Sequence, residues 1–441
     1  MEFKYCQIKD IESASIDELK QEIARLKLIA DERNNAQLGA KLFINSVYGA
    51  LANQYYSLSN TDIAESITLQ GQNLIKYAVE VVNAYFRDSW HEDIKTHKLI
   101  ARDMKEKYPD FNVEQFMNYC KEKLYFGTTL QCAGDTDSAY ISFQPLCDSC
   151  HIELDKQTQF LMFLYEEFLE DYLDQQFKKY AVNFNCPENI EEFALEKIFR
   201  SGIFLAKKKY VGDIAWKEPD IFVDPLHKVV YKGVEVIQGS TPKFCRDKMK
   251  EFIKFMLDNI NKNKQIDYKD IIDKIYSIKE QFVLQSPDEM CKTFNVNDYE
   301  KYILEDKARL VFVEKSDKTY TNKDGQEINR TMACPIHVRG AAIYNNMLYT
   351  KAKRWKTKYN IIKKGDKVKF YYAKDKNYKG LAGEAEPVFS FLPNNFPLEF
   401  APAIDTDKMF EKLILDPLNR IIIASGYPPV PVTLVYASAL F

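Results

Sequence analysis

The chain has 441 residues, room for two or three domains, with 46% hydrophobic and 14% aromatic residues to fill their cores. Its formal charge of −3 selects no polyanionic partner globally, so any basic footprint must be local. No apolar run approaches ~20 residues, which argues against a membrane span. The first residues lack a signal-peptide hydrophobic region, and nine cysteines, an odd number, read as reduced intracellular thiols.

In chain order, Ser15 is predicted to cap a first helix, with Glu18 three residues on as in a capping box. Leu19, Ile23, Leu26 and Ile29 follow at helical spacing. A second helical stretch, 37–53, places Lys41, Asn45 and Tyr48 at i, i+4 and i+7 on one face, while Leu42, Ile44 and Val47 pack elsewhere. One cation, one amide and one phenol suit a polyanion and a flat ring; an ordinary solvated face is the alternative. A core helix is expected over 66–86, through Leu69, Leu74, Ile75, Ala78, Val82 and Tyr85. Residues 87–127 are polar and helical in tendency, with no chemistry to assign.

The stretch around Gly134-Asp135-Thr136-Asp137-Ser138 joins two apolar runs of strand character and reads as a β-hairpin. In extended chain Asp135 and Asp137 point to one side and Thr136 to the other. Like charges ~4 Å apart repel by about 4 kcal/mol at an effective dielectric of 20. Such a pair is solvated, shares a proton, or holds a cation; oxygen-only ligands suit Mg²⁺. An isolated Asp-x-Asp is more often a surface turn, so its neighbours must decide. Cys147-Asp148-Ser149-Cys150-His151 fits a haem-attachment pattern or half a zinc site. Without export signals or a second Cys pair at ribbon spacing, it reads as a coincidence in a loop.

Residues 157–180 form an amphipathic helix with Phe160, Leu164, Phe168 and Tyr172 on one side and an acidic, solvated face opposite. Strands are expected over 192–199, including Glu196, and over 205–211, which contains Lys207, Lys208, Lys209 and Tyr210. Three consecutive lysines charge both faces of a strand, as an edge beside phosphates would require, or as a lysine-protected sheet edge. At Ser240-Thr241-Pro242 a helix should start with a Ser or Thr cap; Met249, Phe252, Ile253, Met256 and Ile260 form its buried stripe. The densest basic stretch, 351–369, includes Lys353 and Arg354 with Trp355 and Tyr359 interleaved, and suits a phosphate backbone. A last helix over 407–425 ends at Gly426. The Pro-stiffened tail runs to Leu440 and Phe441, an apolar pair suited to docking on a partner, with a frayed terminus as the alternative.

Taken together, Lys41-x-x-x-Asn45-Ser46-x-Tyr48-Gly49, then Asp135-Thr136-Asp137-Ser138, then Lys207-Lys208-Lys209-Tyr210 resemble motif B, motif C and the Lys-Lys-Arg-Tyr element of family-B DNA polymerases, particularly the T-even-phage replicative type. Gly71-Gln72, Ser240-Thr241-Pro242-Lys243, Cys334-Pro335-Ile336-His337-Val338-Arg339-Gly340 and the Leu-Phe ending extend the similarity. The resemblance implies an α+β fold: a helical finger fragment over 1–53, a palm with antiparallel sheet and helices over 54–240, and a mixed, mainly helical thumb with a clamp-binding tail over 241–441.

It further implies that Lys41 contacts the incoming dNTP's triphosphate, Asn45 supports that pocket, and Tyr48 with Gly49 packs under the nascent base pair. Asp137 and Asp135 would hold two Mg²⁺ ions, with Glu196 an auxiliary acid, and the lysines with Tyr210 would grip primer-template DNA. Lys replaces Arg in that element, keeping charge and losing fork geometry. The family's motif A strand, its opposing finger helix and its proofreading exonuclease have no counterpart among the forty residues before Lys41. The resemblance therefore implies a C-terminal subunit of a split polymerase, dependent on an N-terminal polymerase/exonuclease chain and a sliding clamp, in the host cytoplasm if viral. A non-catalytic DNA- and clamp-binding remnant is the alternative.

Overall fold

The computed structural model describes residues 6–8, 13–135, 138–186, 193–217, 220–222, 228–297, 303–306, 309–312, 317–321, 327–331, 335–350, 352–374 and 387–433. Two compact units result: Met1–Asp93 with Cys120–Pro145, and Ile94–Tyr119 with Leu146–Phe441.

In the first unit, the two helical stretches predicted before residue 53 are one helix, α1 (Ile16–Leu51). Ser15 and Glu18 close the expected capping box: Glu18 N–H donates to Ser15 Oγ (3.3 Å) and Ser15 N–H to Glu18 Oε2 (2.9 Å). Nothing between them and Leu51 breaks the helix, since isolated glycines cost only ~1 kcal/mol. Helix α2 (Thr61–Ala84) starts five residues before the expected Ser66, because Asn60 Oδ1 accepts the Ile63 N–H at 3.0 Å. Of its predicted stripe, Ala78, Val82 and Tyr85 are core and Leu69 is 50% exposed; outside the stripe Val79 is also buried, whereas Ile63 and Ile67 are about half exposed. On α1, Leu28, Leu38, Leu42, Phe43 and Ile44 are all more than half exposed.

After α2 the chain widens through a π turn (Tyr85–Ser89) and then tightens in a 3₁₀ turn (Trp90–Glu92). Phe86, fully buried, meets Tyr85, Trp90 and Phe143 at centroid distances of 5.2, 5.5 and 5.3 Å, within the range of favourable ring pairs. The predicted acidic hairpin is present as β1 (Gln131–Gly134) and β2 (Ala139–Ile141), antiparallel, in a two-stranded sheet.

In the second unit, α3 (Ile94–Lys107) and α4 (Val113–Tyr119) give form to part of the stretch that carried no chemistry in sequence. Helix α5 (Gln144–Ser149) ends in the Cys147–His151 motif, which is therefore a helix terminus and not a loop. The predicted helix over 157–180 is a continuous path of α6 (Gln157–Leu164), a π turn (Tyr165–Leu169) and α7 (Glu170–Asn183).

Strands β3 (Ile198–Ala206), β4 (Lys209–Lys217), β5 (Asp220–Ile221) and β6 (Lys228–Lys232) form an antiparallel sheet with β4 at its centre. Lys207 and Lys208 thus make a hairpin turn and do not lie in a strand; Lys208 has φ +61°. A turn tip lets three ammonium groups stay solvated, which strand positions would not. Gly233 permits this turn: a Cβ there would lie 2.3 Å from the Lys208 carbonyl oxygen, and its φ of +64° favours glycine.

Helix α8 (Lys243–Ile260) begins after Pro242, which itself takes the cap position without a side-chain cap bond. The expected Ser/Thr cap is replaced from a distance: Phe244 N–H donates to Glu289 Oε2 at 3.1 Å. Met249, Phe252, Ile253 and Met256 are buried as predicted, whereas Ile260 is 36% exposed. Helix α9 (Tyr268–Phe282), strand β7 (Lys292–Asn295), helix α10 (Ile336–Thr350) and strands β12 (Lys367–Tyr372) and β13 (Val388–Phe391) enclose the main core, with sheet order β13-β12-β7. Two hairpins, β8 (Ile303–Asp306) with β9 (Arg309–Phe312) and β10 (Asp317–Thr321) with β11 (Glu327–Thr331), lie between β7 and α10. Gly340 lets α10 touch β13, since a Cβ there would stand 2.8 Å from Ser390 N.

The chain ends in α11 (Thr406–Phe410), a π turn (Glu411–Leu415) and α12 (Asp416–Ala424), with Gly426 at φ +86° closing it as expected. Among the described residues, no helix is long and apolar enough to cross a membrane.

The basic stretch from 352 is tied down at several points. Asn345 donates to Ile362 O (2.8 Å) and accepts from Ile362 N (2.9 Å), and Tyr344 OH donates to Asn360 O at 3.0 Å. Tyr359, expected among DNA-facing aromatics, is instead 3% exposed, its hydroxyl donating to Glu399. The Lys358 ammonium, and after it that hydroxyl, hold the Glu399 carboxyl down at about 2, below its ordinary 4.5. A depressed carboxylate stabilises the fold above pH ~4.5 and loses that contribution as pH falls towards 2. Glu399→Gln is therefore expected to lower the thermal midpoint at pH 6, and the gap to wild type should close between pH 4.5 and 2, as read by near-UV circular dichroism.

Candidate catalytic hairpin and nucleotide-binding helix

The site is built on α2, which holds one predicted functional element near each end. Near its start, Tyr48 OH shares a 2.7 Å hydrogen bond with Thr68 Oγ1. Thr68 donates in turn to Ala64 O at 3.0 Å, one turn back on its own helix. Near its end, Asn83 is 8% exposed and uses both sides of its amide: Nδ2 donates to Thr129 Oγ1 (2.9 Å), and Oδ1 accepts from Leu130 N (2.9 Å). These bonds fix the residue where β1 begins. A buried amide must be satisfied on both sides, so the entry to the acidic hairpin is tightly specified.

Lys41, Asn45 and Tyr48 lie on α1 and are exposed, Tyr48 at 40%. The helix brings the three together on one face, as spacing predicts. At Gly49 an added Cβ would meet nothing within 4 Å, so any close approach there is to something outside this chain's described residues. In the hairpin, Asp135 N–H donates to Ser138 O at 2.9 Å, closing the turn. Asp135 is partly exposed, whereas Asp137 and Thr136 lie outside the described residues. A half-solvated carboxylate at a turn presents a hard oxygen donor with access to water, which fits Mg²⁺ chemistry. Among the described residues no group of three His, Cys, Asp or Glu could hold a metal, so Asp135 would need further oxygen ligands.

Glu196 does not lie on a strand: β3 starts at Ile198, and Glu196 is an exposed loop residue 3.6 Å from Lys197 Nζ. Lys207, Lys208 and Lys209 are exposed at the β3–β4 turn, while Tyr210 is 7% exposed and packs against Phe199 and Phe204. Tyr210 thus anchors the turn from below. Lys353 and Arg354 are exposed in a 3₁₀ turn, with the Arg354 guanidinium over Trp355 at 5.1 Å. Leu440 and Phe441 lie outside the described residues. At the end of α5, Cys147 and Cys150 are buried, His151 stacks on Tyr119 at 4.1 Å, and burial pushes the Cys147 thiol well above its usual range. A protonated, buried thiol is a poor ligand.

Thr68 and Asn83 are the residues that sequence reasoning missed. Both read as polar interruptions of a core helix, and only their partners 20 and 46–47 residues away give them a role.

Comparison with known families agrees with this geometry. The description "Divergent Family B DNA polymerase" matches residues 95–326, more than half of the chain, and "DNA polymerase family B" matches 17–156. The chain belongs to the family B DNA polymerases. The overlap of the two matches contains the acidic hairpin, and the 17–156 match contains the Lys41 face. Among individual proteins, the chain is similar to the DNA-directed DNA polymerase of Enterobacteria phage T4, 24% identical over 408 residues that cover 89% of this chain and 37% of that one. The DNA-directed DNA polymerase of Escherichia phage RB69 is 26% identical over 266 residues, covering 57% and 25%. The DNA polymerase of Choristoneura biennis entomopoxvirus is 23% identical over 61% of this chain. The chain thus spans little more than a third of the T4 relative's length.

Replacing Asn83 with Leu leaves a buried Leu130 N–H unpaired, a loss of about 1–3 kcal/mol. The Leu130 amide is expected to exchange with solvent about 5- to 150-fold faster in Asn83→Leu, and Asn83→Asp, which keeps the acceptor, should restore most of the protection in amide-exchange NMR.

Proposed function

We propose that this chain is the C-terminal part of a DNA-directed DNA polymerase, joining a dNTP to a primer 3′-OH on a template. The observation that carries the reading is the Tyr48–Thr68 bond, which ties the Lys41/Asn45/Tyr48 face to the helix whose Asn83 anchors the acidic hairpin. Thr68 and Asn83 are about 22 Å apart along α2. The five residues from Leu130 to Asp135 span ~17 Å when extended, enough for the acidic turn to run back towards Tyr48.

In this reading residues 1–53 belong to the fingers, 54–240 to the palm and 241–441 to the thumb. Asp135 and Asp137 hold Mg²⁺, and Glu196 is kept as the auxiliary acid. Two such ions, when bound, stabilise the attacking 3′-oxygen and the leaving pyrophosphate. Lys41 adds positive charge where the triphosphate becomes more negative, and Asn45 positions it. Tyr48, its hydroxyl fixed by Thr68, presents a rigid ring beneath the nascent pair, with Gly49 open beside it. Lys207, Lys208, Lys209, Lys353 and Arg354 meet the primer-template backbone, and Leu440 with Phe441 docks on a sliding clamp in the host cytoplasm.

A further metal-bridging carboxylate comes from a motif A segment on a partner polymerase/exonuclease chain. Two features support that partner: among the described residues the acidic hairpin forms a sheet of two strands, marginal by itself, and α1 and the first half of α2 present large apolar side chains to solvent.

Primer extension tests the reading. The pure chain is expected to extend nothing, the chain with its partner and Mg²⁺ to extend, and Asp137→Ala in that complex to lose extension. An unimpaired Asp137→Ala complex would leave a DNA- and clamp-binding remnant instead. Thr68→Val, which frees the Tyr48 hydroxyl, should cut discrimination against mismatched dNTPs up to about tenfold, the worth of one hydrogen bond, measured as the ratio of correct to incorrect incorporation efficiencies.

A further inference from the structure

A cavity of about 310 Å³ opens in the second unit between the turn end of the β3–β4 hairpin and α12. Phe204, Leu205 and Val234 wall one side, and Ile423 and Ala424 the other. Its lining is mainly apolar, and Ile423 is 54% exposed at its mouth. Glu235 and Arg420 also line it, but they neutralise one another at 2.6 Å. Lys209 adds one cation to the lining, and the mainly apolar remainder calls for an apolar occupant.

The path of the chain supplies one. Beyond α12 the chain turns back on that helix, and Asn419 grips Val430 through two bonds, donating to its O (3.0 Å) and accepting from its N (2.8 Å). Val430 is buried and Val432 packs against the core, so the chain is held beside α12 as far as Thr433. Asn419 and Ile423 are one turn apart on one face of that helix, ~6 Å. Residues 434–441 read Leu-Val-Tyr-Ala-Ser-Ala-Leu-Phe, with no charged side chain and two aromatic rings. Eight extended residues reach ~27 Å.

We propose that residues 434–441 dock back into this cavity, placing large apolar side chains between Val234 and Ile423. Lys209, at the start of β4, also lines the cavity, so the docked segment lies beside the turn assigned above to the DNA backbone. The same segment carries Leu440 and Phe441, so docking here and docking on a clamp exclude one another.

The test is binding of a fluorescent peptide of sequence 434–441 to two forms of the chain, full-length and ending at Thr433, with matched near-UV circular dichroism confirming that both are folded. The shortened chain is expected to bind the peptide and the full chain to bind it at least tenfold more weakly, because its own segment fills the site. Ile423→Glu, at an exposed position that folding tolerates, should remove binding to the shortened chain. No binding, equal binding to both forms, or undiminished binding to the Ile423→Glu variant would overturn the proposal. Dimerisation of the full chain that Ile423→Glu abolishes would give the cavity to a second copy and overturn it equally. No outcome depends on DNA or polymerase activity, so the result stands apart from the functional reading.

Discussion

A single buried amide carries the geometry of the first unit. The hairpin that begins beyond Leu130 is two strands wide and short, and such a hairpin has little stability of its own. Asn83 compensates by fixing its first residue to α2 through Leu130 and Thr129, while the Phe86 cluster packs Phe143, beyond β2, against the turn that ends α2. Everything proposed for Asp135 and Asp137 depends on that attachment, because a carboxylate can meet a cation only as well as its backbone is placed.

The same device recurs in the second unit. Asn345 on α10 holds Ile362 through both its amide groups, and Asn419 on α12 holds Val430 likewise. In each case a helix grips an irregular segment whose backbone has no strand partner at that point. An asparagine side chain reproduces the donor and acceptor of a peptide group, so it satisfies a buried loop where a sheet would otherwise be needed. The basic stretch from 352 owes its fixed position to this grip, with Tyr359 and Glu399 adding a second.

Charge is organised locally. A net charge of −3 coexists with three exposed lysines at the β3–β4 turn and an exposed Lys353–Arg354 pair. Each cationic group is mounted on a buried aromatic or a clamped loop: Tyr210 lies under the first, and Tyr359 follows the second. Such mounting would lower the entropy lost in the phosphate contacts proposed above, which a flexible basic tail would not do. The chain belongs to the family B DNA polymerases, and α1 with early α2 exposes large apolar side chains.

The sequence by itself determined what depends on near neighbours. The Ser15–Glu18 capping box, the Lys41/Asn45/Tyr48 face, the Asp135 turn between two short strands and the glycine stop at Gly426 all follow from spacings of a few residues, where backbone geometry leaves few choices. The family resemblance rested on the same short motifs. Tertiary structure decided what depends on partners far along the chain. It placed the cap of α8 on Glu289 and not on Ser240 or Thr241, and made a turn of Lys207–Lys208 because Gly233 allows close approach. It also sent Tyr359 into the core while Lys353 stayed in solvent. Thr68 and Asn83 show why: their value lies in one hydrogen-bond partner 20 or more residues away, and no local periodicity encodes which polar residue on a helix will find such a partner.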